Sequence, residues 1–286
     1  MACALHYAAS VRVAFIYLGA EIASTAEHLR QALEQHGHYV VCEIDNTSDF
    51  DRVLETPVDV VVVAGGDGSV AAVARRLAHA AIPIAVLPLG TANNIAKCLG
   101  IHASVDETIA RWDLEQRIAI DFGVAHARWG RRTFLEGLGC GLVTAITSGC
   151  NDVDLEEALR AYQRRLETLA PRPVTLTVND ECMEDEFLLA EVLNVGWVGP
   201  NLALSSESNP SDGWLEVVLA RESERQYLCG YFEQRLRGDM VDLELPTQRT
   251  HHLELRTAQD VHIDDQVYEG GPIVIDVQRR AVQFLV

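Results

Sequence analysis

Apolar residues recur along this chain in two different rhythms. From residue 11 to about 121, short runs dense in β-branched residues alternate with stretches of helical spacing. Residues 11–16, 39–44, 58–64 and 84–87 read as strands, while 23–36 and 70–80 place apolar side chains three and four apart, as helices do. The run Val60-Val61-Val62-Val63 has no polar interruption, which a central strand covered on both faces requires. Such alternation predicts a parallel sheet flanked by helices. Beyond Asp121 the rhythm changes. Residues 133–138, 174–179, 187–195, 214–220, 252–256, 261–263, 273–277 and 281–286 read as strands separated by turn residues. Two helices interrupt them: 154–169, with Leu155, Leu159, Tyr162, Leu166 and Leu169 on one face, and 222–237, stopped by Gly238. The expected fold is a Rossmann-like α/β domain over 1–122 and an antiparallel β-sandwich domain over 123–286.

Two of the parallel strands stop at glycine turns. Val63-Ala64 runs into Gly65-Gly66-Asp67-Gly68-Ser69, and Val86-Leu87 runs through Pro88-Leu89 into Gly90-Thr91-Ala92-Asn93-Asn94. Ligands of parallel sheets bind at the carboxyl ends of the strands, where both turns fall. Glycines let backbone amides close on a phosphate chain, and the helix that starts near Ser69 turns its positive end to the same place. A carboxylate in such a cradle repels phosphate unless a cation stands between them, so Asp67 points to Mg²⁺. Thr91 offers a hydroxyl and the next helix start offers free amides. Asp121, at a strand end on the same edge, is placed to join Asp67 around a hydrated Mg²⁺. The turns therefore read as a nucleotide site built from Gly65, Gly66, Asp67, Gly68, Ser69, Gly90, Thr91 and Asn93.

Composition narrows the partners. The net charge of −19 argues against nucleic-acid backbones and against strong adhesion to anionic lipid, leaving transient contact with a membrane surface. Seven scattered cysteines, none spaced C-x-x-C, fit reduced thiols in a cytoplasm. No basic start leads into a long apolar core, and no apolar stretch is long enough to span a bilayer. The expectation is a cytoplasmic protein with peripheral membrane contact.

The turns do not stand alone. Ile120-Asp121-Phe122-Gly123, Phe134-Leu135-Glu136-Gly137-Leu138-Gly139-Cys140-Gly141, Asn194-Val195-Gly196, Gly199-Pro200 and Asn209-Pro210-Ser211-Asp212-Gly213-Trp214-Leu215 follow in order. Together with the two glycine turns they resemble the diacylglycerol-kinase catalytic-domain family, which includes bacterial lipid kinases and the sphingosine and ceramide kinases. The resemblance covers most of the chain. It implies transfer of the γ-phosphate of ATP to a lipid hydroxyl in a cleft between the domains. It also implies a structural Mg²⁺ in the β domain, held by Asp212 and the carbonyls of Asn209 and Trp214. A late Asp-Gly-Glu motif, whose third residue would accept the proton, stands here as Asp264-Asp265-Gln266. A glutamine cannot take a proton, so the catalytic base falls to Asp264 or Asp265, beside Asp67. Two further departures are Ile16-Tyr17-Leu18-Gly19-Ala20 in place of an Asn-Pro-x-Ser-Gly loop, and Asn94 in place of an aspartate.

Other readings stand beside this one. A nucleotide-binding protein without turnover is compatible with Asn94 and Gln266. An NAD-kinase-like enzyme shares the first turn but requires a second Gly-Gly and Asn-Glu segment that does not follow. Phosphofructokinase also shares it but requires a second parallel sheet, whereas residues after 121 are β-rich.

Overall fold

The computed structural model describes residues 11–147, 154–239, 241 and 243–286; Cys3, Cys150 and Asp152 fall outside them. Contacts divide the chain into two units, one running to Ile120 and including Ala281–Val286, the other spanning Asp121–Arg280. The final six residues therefore belong with the first unit, and not with the β-rich unit that precedes them in sequence.

The first unit contains strands β1 (Arg12–Tyr17), β2 (Tyr39–Ile44), β3 (Val60–Gly65) and β4 (Ile84–Pro88). Its helices are α1 (Ala20–Ala23), α2 (Ala26–Gln35), α3 (Asp51–Glu55), α4 (Asp67–Arg76), α5 (Asn94–Cys98) and α6 (Val105–Ala110). The strands are parallel, in the order β2-β1-β3-β4. Every residue of β3 is buried, the outcome its β-branched run predicts. Val13, Phe15, Val60 and Val62 pack with Leu29 and Leu33 of α2 and Ile109 of α6. The register between β3 and β4 sets Gly65 opposite Pro88, so both strands end level and their turns leave the sheet side by side.

The second unit opens with β5 (Arg117–Ala127), which carries the chain out of the first, then β6 (Gly130–Phe134), β7 (Gly137–Gly141), α7 (Thr144–Thr147) and α8 (Leu155–Thr168). It continues with β8 (Arg172–Val178), β9 (Glu181–Phe187), β10 (Leu189–Leu193), β11 (Trp197–Val198), β12 (Leu202–Ala203), β13 (Leu215–Ala220) and α9 (Arg225–Leu236). The last strands are β14 (Thr247–Thr250), β15 (His252–Thr257), β16 (Val261–Ile263), β17 (Gln266–Tyr268) and β18 (Gly271–Leu285). One sheet is ordered β14-β13-β10-β7-β16-β17; facing it, β15 lies between β8 and β18. Leu138, Ala190, Val217 and Ile263 from the first sheet meet Val174, Leu176, Leu253 and Ile275 from the second, a sandwich core. The opposite face of the first sheet is covered by helices, where Leu189, Leu193 and Val218 pack on Tyr162, Leu166 and Phe232. Asp154 caps α8 by accepting from the Glu157 N–H at 2.8 Å, which fixes where that helix starts.

The structure splits several strands read from the pattern. Residues 187–195 divide at Leu188, and β9 precedes them as a strand whose side chains are mostly exposed. Residues 273–277 and 281–286 form one long strand, broken by Arg280 at φ 51°. Its first half pairs with β15, and Phe284 near its end lies beside Ile84 of β4.

Candidate functional site

In the first unit the two glycine turns meet back to back. A Cβ placed on Gly90 would lie 2.4 Å from the Gly66 Cα, backbone against backbone, so the second turn has no room for a side chain there. The Leu89 N–H donates to the Gly65 carbonyl at 3.1 Å. Asn93 adopts the left-handed conformation and closes the second turn on itself: its Oδ1 accepts from the Gly90 N–H at 2.9 Å, and its Nδ2 donates to the Gly90 carbonyl at 2.6 Å.

Asp67 ties the turns together. Its Oδ2 accepts from the Asn94 N–H at 3.0 Å and its Oδ1 from the Ile95 N–H at 2.9 Å, so it satisfies the first amides of α5. Burial pushes this carboxyl above the usual range, against the pull of those amides and of Lys97. Gly66 sits at the N-cap of α4 and supplies no side-chain cap to the first-turn amides of that ten-residue helix. Thr91, in the second turn, is exposed. These features fit the phosphates of a nucleotide.

Asp121 does not share an element with Asp67. It lies in the second unit, buried, with Oδ2 accepting from the Gly213 N–H at 2.7 Å and Oδ1 from the Arg280 N–H at 2.6 Å. Its own N–H donates to the Pro210 carbonyl at 2.6 Å. Asp121 therefore pins the 209–214 loop through backbone bonds, and the pairing with Asp67 around one ion is not what its oxygens do. Asn194, buried, donates to the Asp121 and Leu135 carbonyls, both at 2.9 Å. Sequence reasoning quoted this residue in a motif without giving it a task; an asparagine between two apolar strands was the available signal.

Asp264 joins the same network. It occupies the turn between β16 and β17 at φ 50°, and its carboxylate accepts from the N–H groups of Leu135, Glu136 and Gly137 at 3.1, 2.9 and 3.3 Å. Its lone pairs are thus directed at the start of β7. Asp265, next in the turn, is exposed. Gln266 accepts from the Tyr268 hydroxyl at 2.7 Å.

The expected cation at Asp212 is met by an arginine. Asp212 Oδ2 accepts from Arg249 and Oδ1 from the Trp214 N–H at 3.0 Å. The Asn209 carbonyl accepts from the Asp212 N–H at 3.3 Å. Among the described residues no three His, Cys, Asp or Glu side chains gather as a metal cage. The residues at Asp212 do not fit a bound ion.

A second cluster went unread in the sequence. Glu191, Gly139 and His262 lie in register across β10, β7 and β16 on the helix-covered face. Gly139 leaves the room: a Cβ there would lie 2.1 Å from the Glu191 carboxyl. His262 Nε2 is 3.3 Å from Glu191 Oε2, and its Nδ1 is 3.0 Å from the Thr144 hydroxyl, which donates to the Gly139 carbonyl at 2.9 Å. Complete burial pushes the Glu191 carboxyl well up and lowers His262 to about 3. Near Thr144 the unit carries a groove of about 1070 Å³, lined also by Arg165, Leu169, Pro173, Thr175 and Val267.

A parallel α/β unit with a double glycine cradle, followed by a β-sandwich unit, defines a two-unit fold class. Comparison with known proteins agrees with that class. The diacylglycerol kinase catalytic domain matches residues 19–125, and the YegS C-terminal NAD kinase beta sandwich-like domain matches residues 146–286. The chain belongs to the diacylglycerol-kinase catalytic-domain family of lipid kinases. A protein of Stenotrophomonas maltophilia named probable lipid kinase YegS-like is 30% identical over 208 residues, covering 68% of this chain and 66% of that one. A Mycobacterium tuberculosis diacylglycerol kinase is 28% identical over 214 residues, covering 68% and 67%. A crystal structure titled as a diacylglycerol kinase from Bacillus anthracis superposes with a TM-score of 0.73 at 19% identity over 96% of each chain, a likeness of fold. Among the described residues, no helix is long and apolar enough to cross a membrane.

Proposed function

We propose that this chain is an ATP- and Mg²⁺-dependent lipid kinase that transfers the γ-phosphoryl group to the hydroxyl of a diacylglycerol-like lipid at a membrane surface. The observation that carries the reading is the contact of Gly66 with Gly90 beside the uncapped first turn of α4. Phosphoryl transfer asks the protein mainly for positioning and charge stabilisation, and such a cradle supplies both. The amides of Gly66, Asp67, Gly68 and Ser69 would hold phosphate oxygens, with Gly90, Thr91 and Asn93 as the second wall. Mg²⁺ would arrive held by phosphates and waters, while Asp67, whose two oxygens accept the Asn94 and Ile95 amides, would hold the second turn in place; once bound the ion neutralises charge on the transferred group.

We assign proton acceptance to Asp265, since the oxygens of Asp264 already accept three amides. Asp264 is then a positioning residue that fixes the hairpin carrying Asp265. The groove near Thr144 offers space for the lipid body. A second reading, nucleotide binding without turnover, is favoured by one observation: neither Asn94 nor Gln266 supplies a carboxylate, and Gln266 is engaged with Tyr268.

The test is purified protein with Mg²⁺ and γ-labelled ATP, offered diacylglycerol in vesicles or NAD. Label in lipid, reduced about 100-fold or more by Asp265→Asn without loss of ATP binding, supports the kinase and its base. ATP binding by calorimetry with no label in any acceptor supports the second reading. Label in NAD would overturn both.

A further inference from the structure

The 209–214 loop, which has no cationic residue of its own, is met by two arginines from outside it. Arg249 lies on β14 directly opposite Glu216 of β13, an opposite-charge cross-strand pair. From there its guanidinium reaches Asp212 Oδ2, with Nε 3.6 Å from Glu216 Oε1 and the group 5.6 Å from the centre of the Trp214 ring. Glu216 is itself buried and accepts from the Ser205 hydroxyl at 2.6 Å. A second guanidinium closes the loop from another side. Arg279 lies against Gly213, where an added Cβ would be 2.5 Å from its Nε, and it donates to the Asp212 carbonyl at 3.4 Å.

Charge counting then decides what the loop holds. Asp212 and Glu216 face Arg249 and Arg279, so the pairs balance, and the nearby Asp121 carboxylate is satisfied by two amides. A divalent ion added at Asp212 would have to displace a guanidinium from the carboxylate and stand beside the other. Hard cations of this kind need carboxylate and carbonyl oxygens converging on one point, and here one carboxylate oxygen is already bonded to Arg249 and the other to the Trp214 N–H.

We propose that Arg249 takes the place of a structural divalent cation in this chain. The guanidinium clamps the 209–214 loop through Asp212, and the β unit keeps its fold with no metal ion there. The need for Mg²⁺ is confined to the nucleotide. This inference goes beyond the kinase reading, and its test contains neither nucleotide nor lipid, so it can fail while phosphoryl transfer stands.

The experiment is thermal unfolding of the full chain, followed by circular dichroism, in excess EDTA and then with MgCl₂ or CaCl₂. Wild type, Arg249→Ser, Asp212→Asn and the double variant are compared. A divalent ion held at saturating concentration by the folded state alone raises Tm by about 5 °C or more in a chain of this size. The expected result is no Asp212-dependent metal shift in the wild type. Arg249→Ser should melt lower in EDTA, regain Tm with Mg²⁺ or Ca²⁺, and lose that response when Asp212→Asn is added. If Arg249→Ser is unfolded in EDTA, refolding on addition of the metal salt is the supporting outcome. A metal-dependent rise in wild-type Tm that Asp212→Asn abolishes would overturn the proposal. So would an Arg249→Ser variant that melts like wild type or ignores both cations.

Discussion

Three aspartates singled out by sequence motifs, Asp67, Asp121 and Asp264, each hold backbone amides. A carboxylate that accepts two or three N–H groups fixes loops that cannot pair in a ladder, and such charge-assisted bonds are the stronger kind. Residue type and glycine context made these positions legible, because only glycine permits two backbones to touch as Gly66 and Gly90 do. Their partners were not legible: Asp67 bonds amides some 27 residues on, and Asp264 bonds amides 128 residues back. Nothing local in the sequence encodes those pairings. Two outcomes are expected at this scale. Gly90→Ala forces the turns apart, lowers stability by about 1–3 kcal/mol and removes ATP binding in calorimetry, whereas Gly230→Ala, open on α9, raises stability by about 0.5–1 kcal/mol. Asp264→Asn weakens three amide bonds and lowers stability by about 1–3 kcal/mol in denaturant unfolding, while the exposed Asp265→Asn leaves it unchanged.

At the scale of elements, the sheet formed by β7, β10 and β16 carries a buried titratable row on its helix-covered face. The pattern reading caught β10 and β16, whose core-facing positions alternate, Ala190 and Val192, Val261 and Ile263, but its strand over 133–138 straddles the break between β6 and β7. It missed Glu191 and His262 because a polar residue on the other face of a strand reads as solvent-exposed until a helix is known to cover it. With both groups neutral, His262 Nδ1–H donates to Thr144 and Thr144 donates to Gly139, while His262 Nε2 and Glu191 Oε2 face each other at 3.3 Å, buried and without a hydrogen-bond partner. The pH dependence follows with opposite signs. Glu191 keeps its proton in the folded state past the pH at which the unfolded chain releases it, so stability falls as pH rises above the ordinary glutamate range. His262, lowered to about 3, stays neutral where the unfolded chain takes up a proton, so it costs stability as pH falls below its ordinary value of 6.5. The two effects oppose each other in mildly acidic solution, and Glu191 acts alone above it. Glu191→Gln cannot ionise and keeps the volume of the side chain. Its Tm should exceed that of wild type by more at about pH 8 than at about pH 5. A variant less stable than wild type at both would mean that the pair is an ion pair.

At the scale of the whole molecule, sequence order and structural membership part company at the C-terminus. The apolar rhythm changes at Asp121, and the contacts divide the chain between Ile120 and Asp121. The return of the chain was not legible, because Ala281-Val282-Gln283-Phe284-Leu285 alternates as any buried strand does and its pattern does not say which sheet receives it. In the structure Phe284 lies beside Ile84 of β4, Leu285 packs in the core with Val60 and Ile109, and the Ala281 carbonyl accepts from the His79 N–H at 2.7 Å. β4 is the strand that ends in the second glycine turn. Deleting the Phe284 ring leaves a cavity against that strand, and a buried aromatic truncated to alanine costs about 3–5 kcal/mol. Phe284→Ala should therefore weaken ATP binding in calorimetry and lower the unfolding midpoint of the first unit, although it lies 194 positions from Gly90 in sequence (284 − 90). The control is Phe187→Ala, equally buried but within the sandwich core, which should destabilise the second unit and leave ATP affinity near that of wild type at temperatures below its unfolding. If the two variants lost ATP affinity equally, the last strand would have no particular bearing on the cradle, and its placement beside β4 would be a matter of stability alone.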